Sequence, residues 1–253
     1  VIVPTVGTIP AQIGSARRAR APSRAPSGRV RRTLGAMRIE TGLGVLHLFC
    51  KPSASVDREA VSAALKTAQE AGGQVVTAAM LGHKCDLAVM ALHADWSVLR
   101  VLQTGLQHAG LEVVDSYVSI TEVNEYAKGL PEHMLRDRLY PQLPPEGKPV
   151  FCFYPMSKRR EAHANWYATP YEEREAMMRE HGASGRAFAG KVVQLVTAST
   201  GLDDYEWGVT LFAVSPEAVK DVVYTLRFDK GSAIYGEFGR FYVGYLAYVD
   251  DIL

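Results

Sequence analysis

The stretch FCFYPMSKRR (151–160) carries an apolar, β-prone run out to Tyr154, turns at Pro155-Met156, and then sets Lys158, Arg159 and Arg160 in a row. A phenol is one of the few side chains that can lose an electron and a proton together. Cations next to it can hold carboxylates through charge-assisted hydrogen bonds. Two readings fit the stretch: a strand leaving the core through an amphipathic tyrosine into a solvated turn, or a phenol presented to a bound anion.

Seven histidines need sorting. His47 and His93 lie in or beside strand-like runs and His108 near a helix end, positions that pack or cap. His83 falls in a turn and His163 in a polar, exposed stretch. His133 lies in a long proline-rich segment and could reach a site. His181 follows Met177 and Met178 at helical spacing and shares their apolar face. A neutral imidazole presented there suits an axial iron ligand; a satisfied core histidine fits the same spacing.

The elements that would position these groups occur in one order, twice. GLGVLHLFC (42–50) reads as strand, DREAVSAALKTAQEAGG (57–73) as helix, and 74–94 as a hairpin broken at Gly82-His83-Lys84. WSVLRVLQTGLQHAG (96–110) carries an apolar stripe at Val98, Leu99, Leu102 and Leu106, and 111–123 returns to strand. The second half begins with the strand KPVFCFYPM (148–156). Thr169-Pro170-Tyr171-Glu172 reads as a capping box opening a helix to about His181-Gly182. Strands at 191–200 and 204–214, a helix at 216–228 and a strand at 239–249 complete it. Each half is β-α-β-β-α-β, a ferredoxin-like unit, which predicts an α+β protein with repeats at 37–126 and 148–253. The segment 127–147 between them is expected to be a functional loop. If strand alternation holds, Cys152, Tyr154 and Met156 share one face, with Gln194 on a facing strand.

At 253 residues, 47% hydrophobic and 22% charged, the composition is that of a globular protein. No run approaches the roughly 18 apolar residues of a membrane span. Cys50, Cys85 and Cys152 are far apart in apolar surroundings and read as buried free thiols of a reducing compartment. The net charge of +1 conceals Arg17, Arg18, Arg20, Arg24, Arg29, Arg31 and Arg32 in a leader, residues 1–36, that has no acidic residue. That leader is Pro- and Ser-rich and is expected to be disordered. A transit peptide, a nucleic-acid or membrane tail, and sequence upstream of a true start at Met37 all fit it; the last is favoured. No basic stripe interleaved with aromatics points to nucleic acid in the rest of the chain.

FYPMSKRR, NWY (165–167), EHGASGRAFAGKVVQL (180–195), GLDDYEWGVTLF (201–212) and RFDKGSAIYGEFGRFYVG (227–244) together resemble the coproheme decarboxylases of the chlorite dismutase-like superfamily. The likeness is dense over about 140–245, weaker over 42–126 and absent from 1–36. It implies a dimeric α+β barrel formed by both repeats within one chain. It also implies a peroxide-driven enzyme that converts two propionates of Fe-coproporphyrin III (coproheme, at once substrate and redox centre) to vinyls, giving haem b. Carried over, His181 is the iron ligand, Tyr154 the radical-forming residue and Lys158 the group that holds a propionate. Tyr126, Arg138, Arg186 and Ser232 match propionate-contacting positions, and Met156 one that lines the porphyrin pocket. Gln194 stands where chlorite dismutases carry an arginine, which argues against chlorite as substrate. With the long Tyr154-to-His181 spacing it also argues against a catalytic His133. Arg136, Arg138, Lys158, Arg159, Arg160 and Arg186 are enough cations to rim a pocket for four carboxylates. The resemblance further implies a cytoplasmic homopentamer in transient contact with a coproporphyrin ferrochelatase. A peroxidase-like or chlorite-degrading haem protein, and a haem carrier without turnover, are the rivals on the same fold.

Overall fold

The computed structural model describes residues 37–127 and 129–253; the leader expectation falls on residues 1–36, outside that range. The first repeat comprises β1 (Gly44–Pro52), α1 (Arg58–Glu70), β2 (Gln74–Met80), β3 (Leu87–His93), α2 (Trp96–His108) and β4 (Leu111–Thr121). After a helical turn at Glu125–Ala127 and α3 (Glu132–Leu139) comes β5 (Val150–Lys158), then the small hairpin of β6 (Arg160–Glu161) and β7 (Ala164–Asn165). The chain continues through α4 (Tyr171–Arg186), β8 (Val192–Ala198), β9 (Trp207–Ala213) and α5 (Pro216–Leu226). It ends with α6 (Lys230–Ala233), β10 (Gly236–Phe238), β11 (Tyr242–Leu246) and α7 (Val249–Ile252). Among the described residues no helix is long and apolar enough to cross a membrane.

Local chemistry accounts for the helices. Asp57 and Asp95 accept from Ala60 N and Ser97 N to cap α1 and α2, and Ser215 accepts from Ala218 N ahead of Pro216 to cap α5. Buried stripes follow: Val61, Leu65 and Ala68; Leu99, Leu102 and Leu106; Val219, Val222 and Leu226.

Strand order within the first repeat is β2-β3-β1-β4, and within the second β8-β9-β5-β11, the same permutation. All pairings are antiparallel; β4–β8 and β11–β2 join the repeats, and β5–β9 closes the ring. A closed sheet has no exposed edge. Alternation then sorts the core into three layers. Val45, Phe49, Phe151, Phe153, Phe212 and Tyr242 point into the barrel. Leu46, Leu48 and Cys50 point outward beneath α1 and α2. Val150, Cys152 and Tyr154 point outward beneath α5, so the alternation expected of β5 holds.

His47 faces the barrel interior, its ring 4.3 Å from Phe153 and its Nε2 hydrogen-bonded to Thr210 Oγ1 at 3.0 Å. Burial lowers its pKa to about 3, against about 6.5 in an unfolded chain. Between those values the unfolded chain takes up a proton that the folded chain refuses. This site's contribution to stability is therefore whole above pH 6.5 and is lost as pH falls, by about 1.4 kcal/mol per pH unit. Urea midpoints measured from pH 7 to 4 should fall more steeply for wild type than for His47→Gln; equal slopes would show that the ring is hydrated.

Four expectations need correction. Thr169 builds no capping box: its hydroxyl donates to Asn165 O at 2.9 Å and pairs with Tyr235, so Pro170 takes the N-cap position of α4 without a side-chain cap. α4 runs past His181-Gly182 to Arg186. Of the expected last strand, 239–249, only Tyr242–Leu246 forms β11; residues 239–241 are an interruption that follows β10 (Gly236–Phe238), and both strands pair with β5. The interruption lies opposite Tyr154-Pro155, where proline has no N–H to donate, although its carbonyl still accepts from Gly239 N at 2.8 Å. Finally, the connecting segment is no plain loop but contains α3. Its end is pinned to the first repeat, with Thr121 Oγ1 donating to Leu139 O and Leu143 N donating to Gln74 Oε1.

Candidate active site

The break in the ladder at Pro155 brings the 239–241 turn over the outer face of β5. Phe241 stacks on Tyr154 with centroids 4.4 Å apart, and Phe238 lies at 5.9 Å. Arg227, at the C-terminal end of α5, sits 4.0 Å above the Phe238 ring. Burial pushes the Tyr154 phenol up, with Arg227 opposing, so the hydroxyl is protonated at neutral pH. It makes no hydrogen bond among the described residues. Met156, one strand step on, is half-buried beside the same apolar layer.

Lys158 ends β5 and is 7% exposed. Its Nζ donates to Gly231 O at 2.5 Å and lies 4.6 Å from the Trp166 ring centroid, a cation–π contact. Glu206, itself buried, accepts from the Lys158 backbone N at 2.8 Å and so fixes the strand end. Burial lowers the Lys158 pKa to about 8, with Glu206 opposing. The ammonium is charged at neutral pH yet poorly solvated, which primes it for a carboxylate.

His181 reaches the cluster from α4, one turn beyond buried Met177. Its Nδ1 donates to Asp229 Oδ2 at 3.1 Å, and Ser184 Oγ donates to Asp229 Oδ1 at 2.7 Å. Burial and the Lys158 charge both lower the His181 pKa, with Asp229 opposing. The result is a neutral ring whose Nδ1–H is committed to a carboxylate, leaving the Nε2 lone pair for a metal. Among the described residues no three His, Cys, Asp or Glu side chains gather as a metal site. An iron bound at His181 would therefore have to bring its remaining donors with it, as a metalloporphyrin does.

The expected residues divide into those gathered here and those elsewhere. Lys158, His181 and Ser232 lie around α6, with Ser232 buried next to Gly231, while Tyr154 and Met156 lie further back on β5 in the layer with Phe238 and Phe241. Tyr126 joins through aromatic contacts, 6.4 Å from Trp166 and 5.9 Å from Tyr171, while Arg174 pairs with Glu125 at 3.1 Å. Gln194 is not on a facing strand. It is exposed on β8 within the same sheet, in register with Leu211 and through it with Cys152. Arg186 is exposed in the last turn of α4, and Arg138 and His133 are exposed on α3; none makes a hydrogen bond or ion pair with the Lys158–His181 cluster. Of the basic triplet only Lys158 is buried. Arg159 pairs with Glu237 at 3.7 Å, and Arg160 is exposed in the β6–β7 hairpin. Sequence reasoning missed Asp229, Ser184, Trp166, Glu206 and Arg227. Ser184 alone left a signal, at i+3 from His181 on the same helix face.

A family model described as chlorite dismutase matches residues 56–247. The chain belongs to the chlorite dismutase family. Within or near that family, the coproheme decarboxylase of Staphylococcus saprophyticus is 40% identical over 183 residues, covering 68% of this chain and 72% of that one. A longer protein from Natronomonas pharaonis is 42% identical over 197 residues; the match covers 71% of this chain and spans only 32% of that relative's length. The solved structure of a haem-binding protein from Thermus thermophilus superposes with a TM-score of 0.74 at 34% identity, covering 83% of this chain and 93% of that one. For a chlorite dismutase family member the donor set fits a haem-type group: one neutral imidazole held by a carboxylate, an apolar outer sheet face, and buried or ring-stacked cations in Lys158 and Arg227.

Proposed function

We propose that this chain decarboxylates coproheme, using hydrogen peroxide to turn two propionates into vinyls and yield haem b. The observation that carries the reading is the convergence, around α6, of an imidazole poised for iron and a buried ammonium poised for a carboxylate, with a protonated phenol on the same strand as that ammonium. Bound coproheme together with peroxide supplies the oxidising equivalents. Each propionate loses carbon dioxide, a β-hydrogen and two electrons; one peroxide and one further proton leave as two waters. His181 Nε2 would hold the iron. Lys158 Nζ leaves Gly231 O for a propionate, a stronger acceptor because it is charged. Tyr154 would give its O–H hydrogen to the peroxide-derived oxidant; the phenoxyl oxygen would then take a hydrogen from the propionate β-carbon, and loss of one further electron with carbon dioxide would leave the vinyl. Ser232, Tyr126, Arg138 and Arg186 are assigned to the other carboxylates, and Gln194 to the porphyrin's other face.

Gln194 brings no charge to attract an anionic oxidant, which disfavours chlorite. A carrier without turnover needs neither the buried ammonium nor the phenol. Adding coproheme and then titrating peroxide separates the three readings: carbon dioxide with a vinyl-haem spectrum supports decarboxylation. Oxygen evolved from chlorite, or an unchanged complex, would refute it. Lys158→Ala keeps the phenol but loosens the carboxylate, and a misplacement of about 1 Å costs on the order of 100-fold. Slow turnover stalling at a monovinyl, tripropionate porphyrin is the expected outcome by mass spectrometry; wild-type product distribution and rate would remove Lys158 from the mechanism.

A further inference from the structure

Asp229 stands at the N-cap position of α6, where an aspartate ordinarily accepts from its own helix's first N–H groups, yet its side chain makes no such bond. Both carboxylate oxygens turn to α4 instead, to His181 Nδ1 and Ser184 Oγ. Two residues along, the Gly231 carbonyl accepts Lys158 Nζ at 2.5 Å. A Cβ at position 231 would lie 3.6 Å from both Lys158 Nζ and Met177 Cβ, so this backbone is wedged between β5 and α4. α6 has four residues. Its own backbone bonds are Ser232 N and Ala233 N to Asp229 O, and Ile234 N to Lys230 O. A helix that short has no stability of its own. Its place is set by contacts with its neighbours: Asp229 to His181 and Ser184 on α4, Gly231 O to Lys158 on β5, and Tyr235 O, just past its end, to Arg159 N.

We propose that α6 links the two: a substrate carboxylate that draws Lys158 off Gly231 thereby changes the hold of Asp229 on His181. The link rests on the functional reading above and goes beyond it. A charged acceptor outcompetes the neutral Gly231 carbonyl, so the lysine moves when a propionate arrives, and α6 loses one of its tethers. The partner of a ligating imidazole sets that ring's orientation and basicity; movement of Asp229 therefore reaches the metal-binding nitrogen. Once the carboxylate has left as carbon dioxide, Lys158 returns to Gly231 and the original hold is restored. In this way the iron-binding residue senses whether a carboxylate remains to be removed.

The probe is metal-free coproporphyrin III, which offers the carboxylates but no iron, so no response comes from ligation; because the porphyrin ring current shifts nearby nuclei directly, exchange in α6 and the ligand-free Lys158→Met protein decide. Hydrogen exchange at Ser232, Ala233 and Ile234 should quicken roughly tenfold on binding, and the His181 ring resonances should move. Lys158→Met, of similar length but with no donor, should reproduce both changes without ligand. Porphyrin binding with neither change, or a Lys158→Met protein with wild-type exchange and His181 resonances, overturns the link while sparing the functional reading. Failure of the porphyrin to bind at all overturns both.

Discussion

Tyr154→Phe should retain coproheme and lose decarboxylation. The substitution removes one oxygen and keeps the ring stacked on Phe241 at 4.4 Å. Because the hydroxyl has no hydrogen-bond partner among the described residues, its loss should cost the fold less than the roughly 1 kcal/mol of a typical bond. Melting temperature and coproheme affinity should stay close to wild type. Turnover should fall on the order of 1,000-fold or more, about 4 kcal/mol in the barrier, because phenylalanine has no O–H hydrogen to yield. The porphyrin mass after excess peroxide should then remain that of coproheme. A near-normal yield of haem b would remove Tyr154 from the chemistry.

His181→Ala is the second large effect. It takes away the only histidine whose Nδ1 is tied to a carboxylate within this cluster and whose Nε2 is left open. Coproheme affinity should drop on the order of 100-fold, about 2.7 kcal/mol, and the ferric absorption spectrum should shift. The apo fold should survive, since the ring is only partly buried and the core layers are built by other residues. Asp229→Asn keeps an acceptor but loses the charge, and should give a milder spectral shift with affinity reduced about 10-fold, at the low end of what such partners cost. An unchanged spectrum in His181→Ala would move the iron to another residue, and His133→Ala would be the next variant to measure.

Strands and helices with a buried face were legible because burial imposes period: GVLHLFCKP and VFCFYPMSK alternate between barrel interior and outer layer, and α1, α2 and α5 carry stripes. His181 was legible for the same reason, through Met177. What stayed hidden depends on partners distant in sequence. Asp229 carries no local sign of its role because its partners, His181 and Ser184, lie on α4, and Thr169 reads as a cap until Tyr235 and Asn165 claim its hydroxyl. α3 has no buried residue, so no periodic stripe announced it. The basic triplet looked like a single cation patch, but strand pleat puts Lys158 on the outer face of β5, where it is buried against α6, and leaves Arg159 for Glu237. Arg227 was passed over because nothing in its local sequence shows that the 239–241 turn will fold Phe238 and Tyr154 beneath it.

The central claim, that the Tyr154 phenol carries the oxidising equivalent to the propionate, is tested most directly by rapid-freeze electron paramagnetic resonance. Coproheme-loaded protein would be mixed with peroxide and quenched, using wild type, Tyr154→Phe, and wild type grown with ring-deuterated tyrosine. The account predicts a tyrosyl signal in wild type that narrows on deuteration, decays as vinyl product forms, and is missing from Tyr154→Phe. A tyrosyl signal of the same shape and lifetime in Tyr154→Phe would contradict it.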